Sequence, residues 1–128
     1  MIILTTTFPV SPEKIYQAWL TGKKHTAMTG AKATGTAKVG SKFTAWDGYI
    51  WGKNLTLVKN KKIVQSWRTS EFGGDDPDSV LTITLAKVAG GTKLTLQHKN
   101  TPKSQEASYR QGWEDHYFEP MRAYFDKS

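Results

Sequence analysis

Apolar and polar positions alternate through most of this chain and then change period near its end. Ile2 to Phe8 is β-branched and reads as a first strand. Alternation or β-rich sequence returns over Lys42 to Trp46, Tyr49 to Val58, Lys62 to Thr69, Ser79 to Val88 and Thr92 to Lys99. Leu81, Ile83 and Leu85 fall on one face of their segment, and Leu94, Leu96 and His98 on one face of the next. Asp47-Gly48, Lys59-Asn60-Lys61 and Ala89-Gly90-Gly91 are short turn signals between strands. Turns this short join antiparallel neighbours, since a parallel crossover needs a dozen residues or more.

Helical spacing occurs in two places. Ser11 is a good N-cap and Pro12 suits the first helical position; Ile15, Ala18 and Trp19 then share a face, so the pattern predicts a helix over Pro12 to Leu20. A second short helix is expected over residues 23 to 29, then a small-residue loop from Gly30 to Gly40 with a short strand near Thr34 to Ala37. From Ser104 to Lys127 the period is helical, and Tyr109, Trp113, Tyr117, Met121 and Tyr124 stack on one side, with Phe125 beside them. Pro120 should kink that helix or open its hydrogen-bond ladder. The order predicts an α+β chain: a curved antiparallel sheet of about six or seven strands, two short helices after the first, and one long closing helix.

The 128 residues fit one domain, 1–128, able to bury a sizeable core without staples. No cysteine is present, which removes disulfides, thiolate metal sites and thiol nucleophiles. The first residues lack the basic and apolar stretches of a signal peptide, and no apolar run approaches a membrane span, so a cytoplasmic protein without membrane contact is expected. The net charge of +7 raises the question of nucleic acid, but the lysines occur as scattered pairs and arginine only at 68, 110 and 122. Phosphate binding needs charge gathered on one face, so no nucleic-acid partner is expected.

Further residues carry a resemblance. Phe8-Pro9-Val10-Ser11-Pro12-Glu13 with Ala18-Trp19, Gly40-Ser41-Lys42-Phe43, Asp47-Gly48 with Gly52, Ile63 to Arg68, Gly91 to His98 and Gly112-Trp113 occur in an order that resembles the START-like (SRPBCC) superfamily. Within it, the chain is similar to the activator of heat-shock-protein-90 ATPase homologue family, in its C-terminal domain. The resemblance implies the helix-grip fold, in which the sheet wraps around the closing helix. It also implies either a small-molecule binder or a chaperone-interacting, stress-related module.

The strand phase points Phe43, Gln65, Trp67, Leu81, Ile83, Leu96 and His98 inward, and the helix phase adds Trp113, Tyr117 and Met121. These ten are the expected ligand-binding residues if the helix and sheet enclose a cavity; otherwise they are core. Trp46 and Trp51 flank the Asp47-Gly48 turn as candidate rim. His98, Gln65 or Tyr117 would orient a polar end of the ligand, or bond to neighbours as buried polar groups do. A cyclase- or hydrolase-like enzyme with His98 as general base is the third reading. No nucleophile elbow or phosphate loop occurs, so no catalytic residue and no cofactor are assigned. Glu114-Asp115-His116 reads as a solvated helix face, and Asp75, Asp76 and Asp78 lack calcium-loop spacing, so no metal is expected. The expected partners are a small hydrophobic ligand or a chaperone or other protein, and the expected assembly is a monomer or a weak homodimer.

Overall fold

A computed structural model describes residues 1–126. Six strands form one curved antiparallel sheet in the order β1-β6-β5-β4-β3-β2. They are β1 (Ile2–Phe8), β2 (Lys42–Ala45), β3 (Ile50–Val58), β4 (Lys62–Thr69), β5 (Ser79–Val88) and β6 (Gly91–Lys99). Two short helices, α1 (Pro12–Leu20) and α2 (Gly22–Thr29), follow β1. The closing helix comprises α3 (Glu106–Trp113), a π-helical turn over Glu114–Phe118, and α4 (Glu119–Asp126). Among the described residues no helix is long and apolar enough to cross a membrane.

The helix starts follow their sequence signals. The Ser11 hydroxyl accepts from Lys14 N at 3.4 Å, and Pro12 opens α1 where its missing N–H costs nothing. The short strand expected near Thr34 to Ala37 is reduced to one bridge, Thr34 to Thr44. Its backbone is held instead by Asn54, whose Nδ2 donates to the carbonyls of Thr36 and Lys38 at 2.9 and 3.0 Å. The sheet therefore has six strands. The closing helix was expected to reach Lys127, a position outside the described residues.

Pro120 acts through the turn before it. Proline offers no N–H to the carbonyl four residues back and crowds it. Here the helix widens ahead of Pro120, and the Glu119 N–H reaches back five residues to the Glu114 carbonyl. A wider turn brings two neighbours inward together: Tyr117 and Phe118 are both buried. Phe118 lay outside the aromatic face read from the sequence. It packs edge-on against Phe8 at 6.4 Å, and Phe125 does so at 5.6 Å, which fixes the helix end against β1. Arg122 clamps the widened segment by donating twice to Glu114, at 2.6 and 3.3 Å, and to the Thr6 hydroxyl at 3.2 Å.

Close approach at the β3–β4 pair leaves no room for a side chain at Gly52, which stands opposite Trp67. A β-carbon there would sit 1.9 Å from the Ser66 carbonyl oxygen and 2.8 Å from the Phe43 ring. Gly52→Ala must therefore displace backbone, and we expect destabilisation of about 3 kcal/mol, at the upper end of overpacking costs. Urea unfolding checks this, and a wild-type midpoint would contradict it.

Candidate functional site

Space between sheet and closing helix is divided unequally. Most of it is packed core. At one side, the β2–β3 turn stands away from α3 and the π turn and leaves an open cleft of about 670 Å3. The turn contributes Trp46 and Tyr49, β3 contributes its first residue, Ile50, and β4 contributes Trp67. The helix contributes Ser108, Tyr109, Gln111 and Gly112, then Trp113, Asp115, His116 and Tyr117. Rings dominate this wall, as is usual for sites that take small molecules. The turn reaches its position through left-handed backbone at Trp46, Asp47 and Gly48, with φ of 53, 59 and 89°.

The ten residues expected to bind a ligand separate into three groups. Trp67, Trp113 and Tyr117 line the cleft. Phe43, Gln65 and Leu81, with the inner sides of Trp67 and Tyr117, line a void of about 10 Å3, room for one water at most. Ile83, Leu96, His98 and Met121 are wholly enclosed and border neither space. Trp46 is at the rim as expected, whereas Trp51 is 39% exposed and outside the cleft.

His98 is completely buried, with both ring nitrogens engaged. The Trp113 indole N–H donates to Nδ1 at 3.1 Å, so the proton belongs on Nε2. Nε2 then donates to the Ser79 hydroxyl at 2.8 Å, and that hydroxyl donates to the Trp67 carbonyl at 2.5 Å. Burial lowers the His98 pKa from the usual 6.5 to about 3. A closed, neutral imidazole with both nitrogens occupied offers no general base to a ligand in the cleft. Gln65 is likewise bonded within the protein: it accepts from Trp19 Nε1 at 3.2 Å and donates to Asn54 Oδ1 at 2.9 Å.

A second buried histidine escaped the sequence reading. His25 Nδ1 lies 2.8 Å from the Trp19 carbonyl, which can only accept, so Nδ1 carries the proton. Nε2 then accepts from the Tyr117 hydroxyl at 2.9 Å. Burial lowers the His25 pKa, against the opposing effect of the Trp19 carbonyl, and burial raises that of Tyr117. The signal available was His25 and Met28 three residues apart, both buried on one face of α2.

The cleft mouth has its own polar cluster. Tyr49 donates to the Glu71 carboxylate, and burial followed by that bond raises its pKa. Tyr109 donates to Gln105 Oε1 at 2.6 Å and takes the Thr69 hydroxyl proton at 2.7 Å. Beyond it, the acidic loop is folded onto Arg68, which donates to the carbonyls of Gly73 and Asp76 and to Asp78. Asp115 and His116 are exposed, as read from the sequence, and they also border the open cleft; His116 stands edge-on to Trp46 at 5.3 Å.

The family described as Activator of Hsp90 ATPase homolog 1-like protein matches residues 9–126. Activator of 90 kDa heat shock protein ATPase homolog 1 from Homo sapiens is 35% identical over 124 residues, covering 97% of this chain and 36% of that protein. The Mus musculus protein of the same name is 33% identical over the same length. The chain thus spans about a third of these relatives. An HSP90 activator from Plasmodium falciparum superposes with a TM-score of 0.86 at 27% identity, over 95% of this chain and 93% of that one. The Aha1 dimer from Colwellia psychrerythraea shares the fold, with a TM-score of 0.82 at 20% identity over 97% and 94% of the two chains.

The two histidines make stability depend on pH. A histidine whose folded pKa is depressed must take up a proton on unfolding, so its contribution is complete above the unfolded value and is lost as pH falls. For His98 the loss should run from about pH 6.5 down to about pH 3, at roughly 1.4 kcal/mol per unit. Urea unfolding between pH 7 and 4 should show this slope, and His98→Gln should reduce it. A wild-type stability flat over that range would refute the assignment.

Proposed function

The chain belongs to the family of Activator of Hsp90 ATPase homolog 1-like proteins, and from that premise we propose that it binds a small hydrophobic or amphipathic ligand. The binding unit is one START-like domain, 1–128, in a cytoplasmic protein. The observation that carries this reading is the open, ring-lined cleft between the β2–β3 turn and the closing helix. Trp67, Trp113 and Tyr117 form its floor, while the other expected contacts support them from within. Burying ligand surface there contributes about 25 cal/mol per Å2 before the costs of association.

A second reading rests on the comparisons. Relatives named as Hsp90 ATPase activators suggest a chaperone as partner. Among the described residues no lysine side chain joins an ion pair, so the basic surface is free to meet an acidic one. Stimulation of Hsp90 ATPase by the isolated chain, weakening with added salt, would support this reading. A weak homodimer is compatible with either and is checked by sedimentation.

Gly112 separates binding from folding. It sits inside α3 on the cleft wall, where glycine costs a helix about 0.5–1 kcal/mol relative to alanine. An added β-carbon would meet only the His116 ring, at an ordinary 3.8 Å. Gly112→Ala should therefore raise the melting temperature by a few degrees. Gly112→Leu should project a side chain from the wall into the cleft and weaken binding of the neutral dye Nile red at least tenfold while the fold persists. Undiminished dye binding by a folded Leu variant would place the ligand elsewhere.

A further inference from the structure

Eighteen lysines and arginines are distributed over this chain, yet none lines the cleft. The formal charge its wall does carry is the Asp115 carboxylate, and the Glu71 carboxylate is held at the mouth by Tyr49. Arg68 neighbours Trp67 in sequence, but its guanidinium is committed to the acidic loop. We infer that the cleft's ligand carries a positive charge, a quaternary or tertiary ammonium on an apolar body. This rests on the ligand-binding reading given above and narrows it.

The wall's hydrogen-bond donors point the same way. A carboxylate or phosphate taken from water needs donors to replace its hydration. The hydroxyl protons of Tyr49, Tyr109 and Tyr117 are already given to Glu71, Gln105 and His25, and the Trp113 indole proton to His98. The Trp46 indole N–H is enclosed, with the Tyr117 hydroxyl as its neighbour, and is out of a ligand's reach. What is left on the wall is the Ser108 hydroxyl, the second amide proton of Gln111, whose first goes to Asp115 at 3.0 Å, and the His116 ring N–H; no lysine or arginine stands among them, which is weak solvation for an anion.

An alkylammonium needs no such donors. The negative faces of indole and phenol rings stabilise a cation within about 6 Å of the ring centroid, with tryptophan the most effective. Trp46, Trp67, Trp113, Tyr109 and Tyr117 supply indole and phenol surface along this wall, with Asp115 beside them. The net charge of +7 opposes a cation at long range, but salt near 0.1 M screens that repulsion beyond about 10 Å.

Two probes isolate the charge: (4-hydroxyphenyl)trimethylammonium and 4-tert-butylphenol, which differ in placing a cationic nitrogen where the other has carbon. Isothermal titration of the wild-type chain at pH 7, where both phenols remain protonated, should show the cation binding at least tenfold tighter. Asp115→Asn should lower the affinity for the cation several-fold and leave that for 4-tert-butylphenol unchanged. Equal or tighter binding of 4-tert-butylphenol would overturn the inference while leaving the cleft as a ligand site. Absence of binding by either probe would overturn both.

Discussion

Trp113 stands where helix and sheet meet, and its indole N–H donates to His98 Nδ1 on β6. That bond ties the centre of the closing helix to the sheet. It fixes the histidine tautomer, which commits the Ser79 hydroxyl to β4. The rings then build outward: Trp67 lies edge-on to His98 at 4.5 Å, and Tyr117 lies 4.9 Å from Trp113. A direct bond is worth about 1 kcal/mol net, and each ring pair contributes a similar amount beyond its buried area. The larger consequence is geometric. A helix held close at its centre cannot also seal against the β2–β3 turn, and the open space is displaced there.

Polar links of the same kind bind the rest of the frame. Trp19 to Gln65 to Asn54 connects α1, β4 and β3, and Asn54 extends the chain to the loop at residues 36–38. Tyr117 to His25 connects the π turn to α2. Each donor in these chains finds an acceptor, so burial of the polar atoms is offset by hydrogen bonding. The same economy determines what the cleft can offer. Groups that hold the fold together have no proton left for a ligand, and recognition there falls to ring faces, to Asp115 and to the few uncommitted polar groups of Ser108, Gln111 and His116.

Much of this architecture was legible in the sequence because it follows from period and punctuation. Alternation marked β5 and β6 and turned His98 inward; Ser11-Pro12 marked the start of α1; four-residue spacing marked Tyr109, Trp113, Tyr117 and Met121. The division of inward residues between cleft and core was not legible. Met121 and Trp113 share one phase, yet Met121 is sealed and Trp113 borders open space. Phase tells which way a side chain points but not what stands opposite. The π turn was legible only as a warning at Pro120, and its effect on Phe118 and on Asp115 and His116 depends on where the widened turn falls. Gly112 and the β2–β3 turn carried no periodic signal at all.

The central claim is that this fold has a sealed polar-and-aromatic core and, between the β2–β3 turn and the closing helix, an open ring-lined cleft beside it. The five tryptophans make that claim directly observable, because each indole N–H gives its own nitrogen–proton resonance. Trp46, Trp67 and Trp113 border the cleft, whereas Trp19 is bonded to Gln65 in the core and Trp51 faces outward. Titration with a small aromatic ligand, followed by the indole signals, should move those of Trp46, Trp67 and Trp113 and leave those of Trp19 and Trp51 in place. Shifts confined to Trp19 or Trp51 would contradict the account.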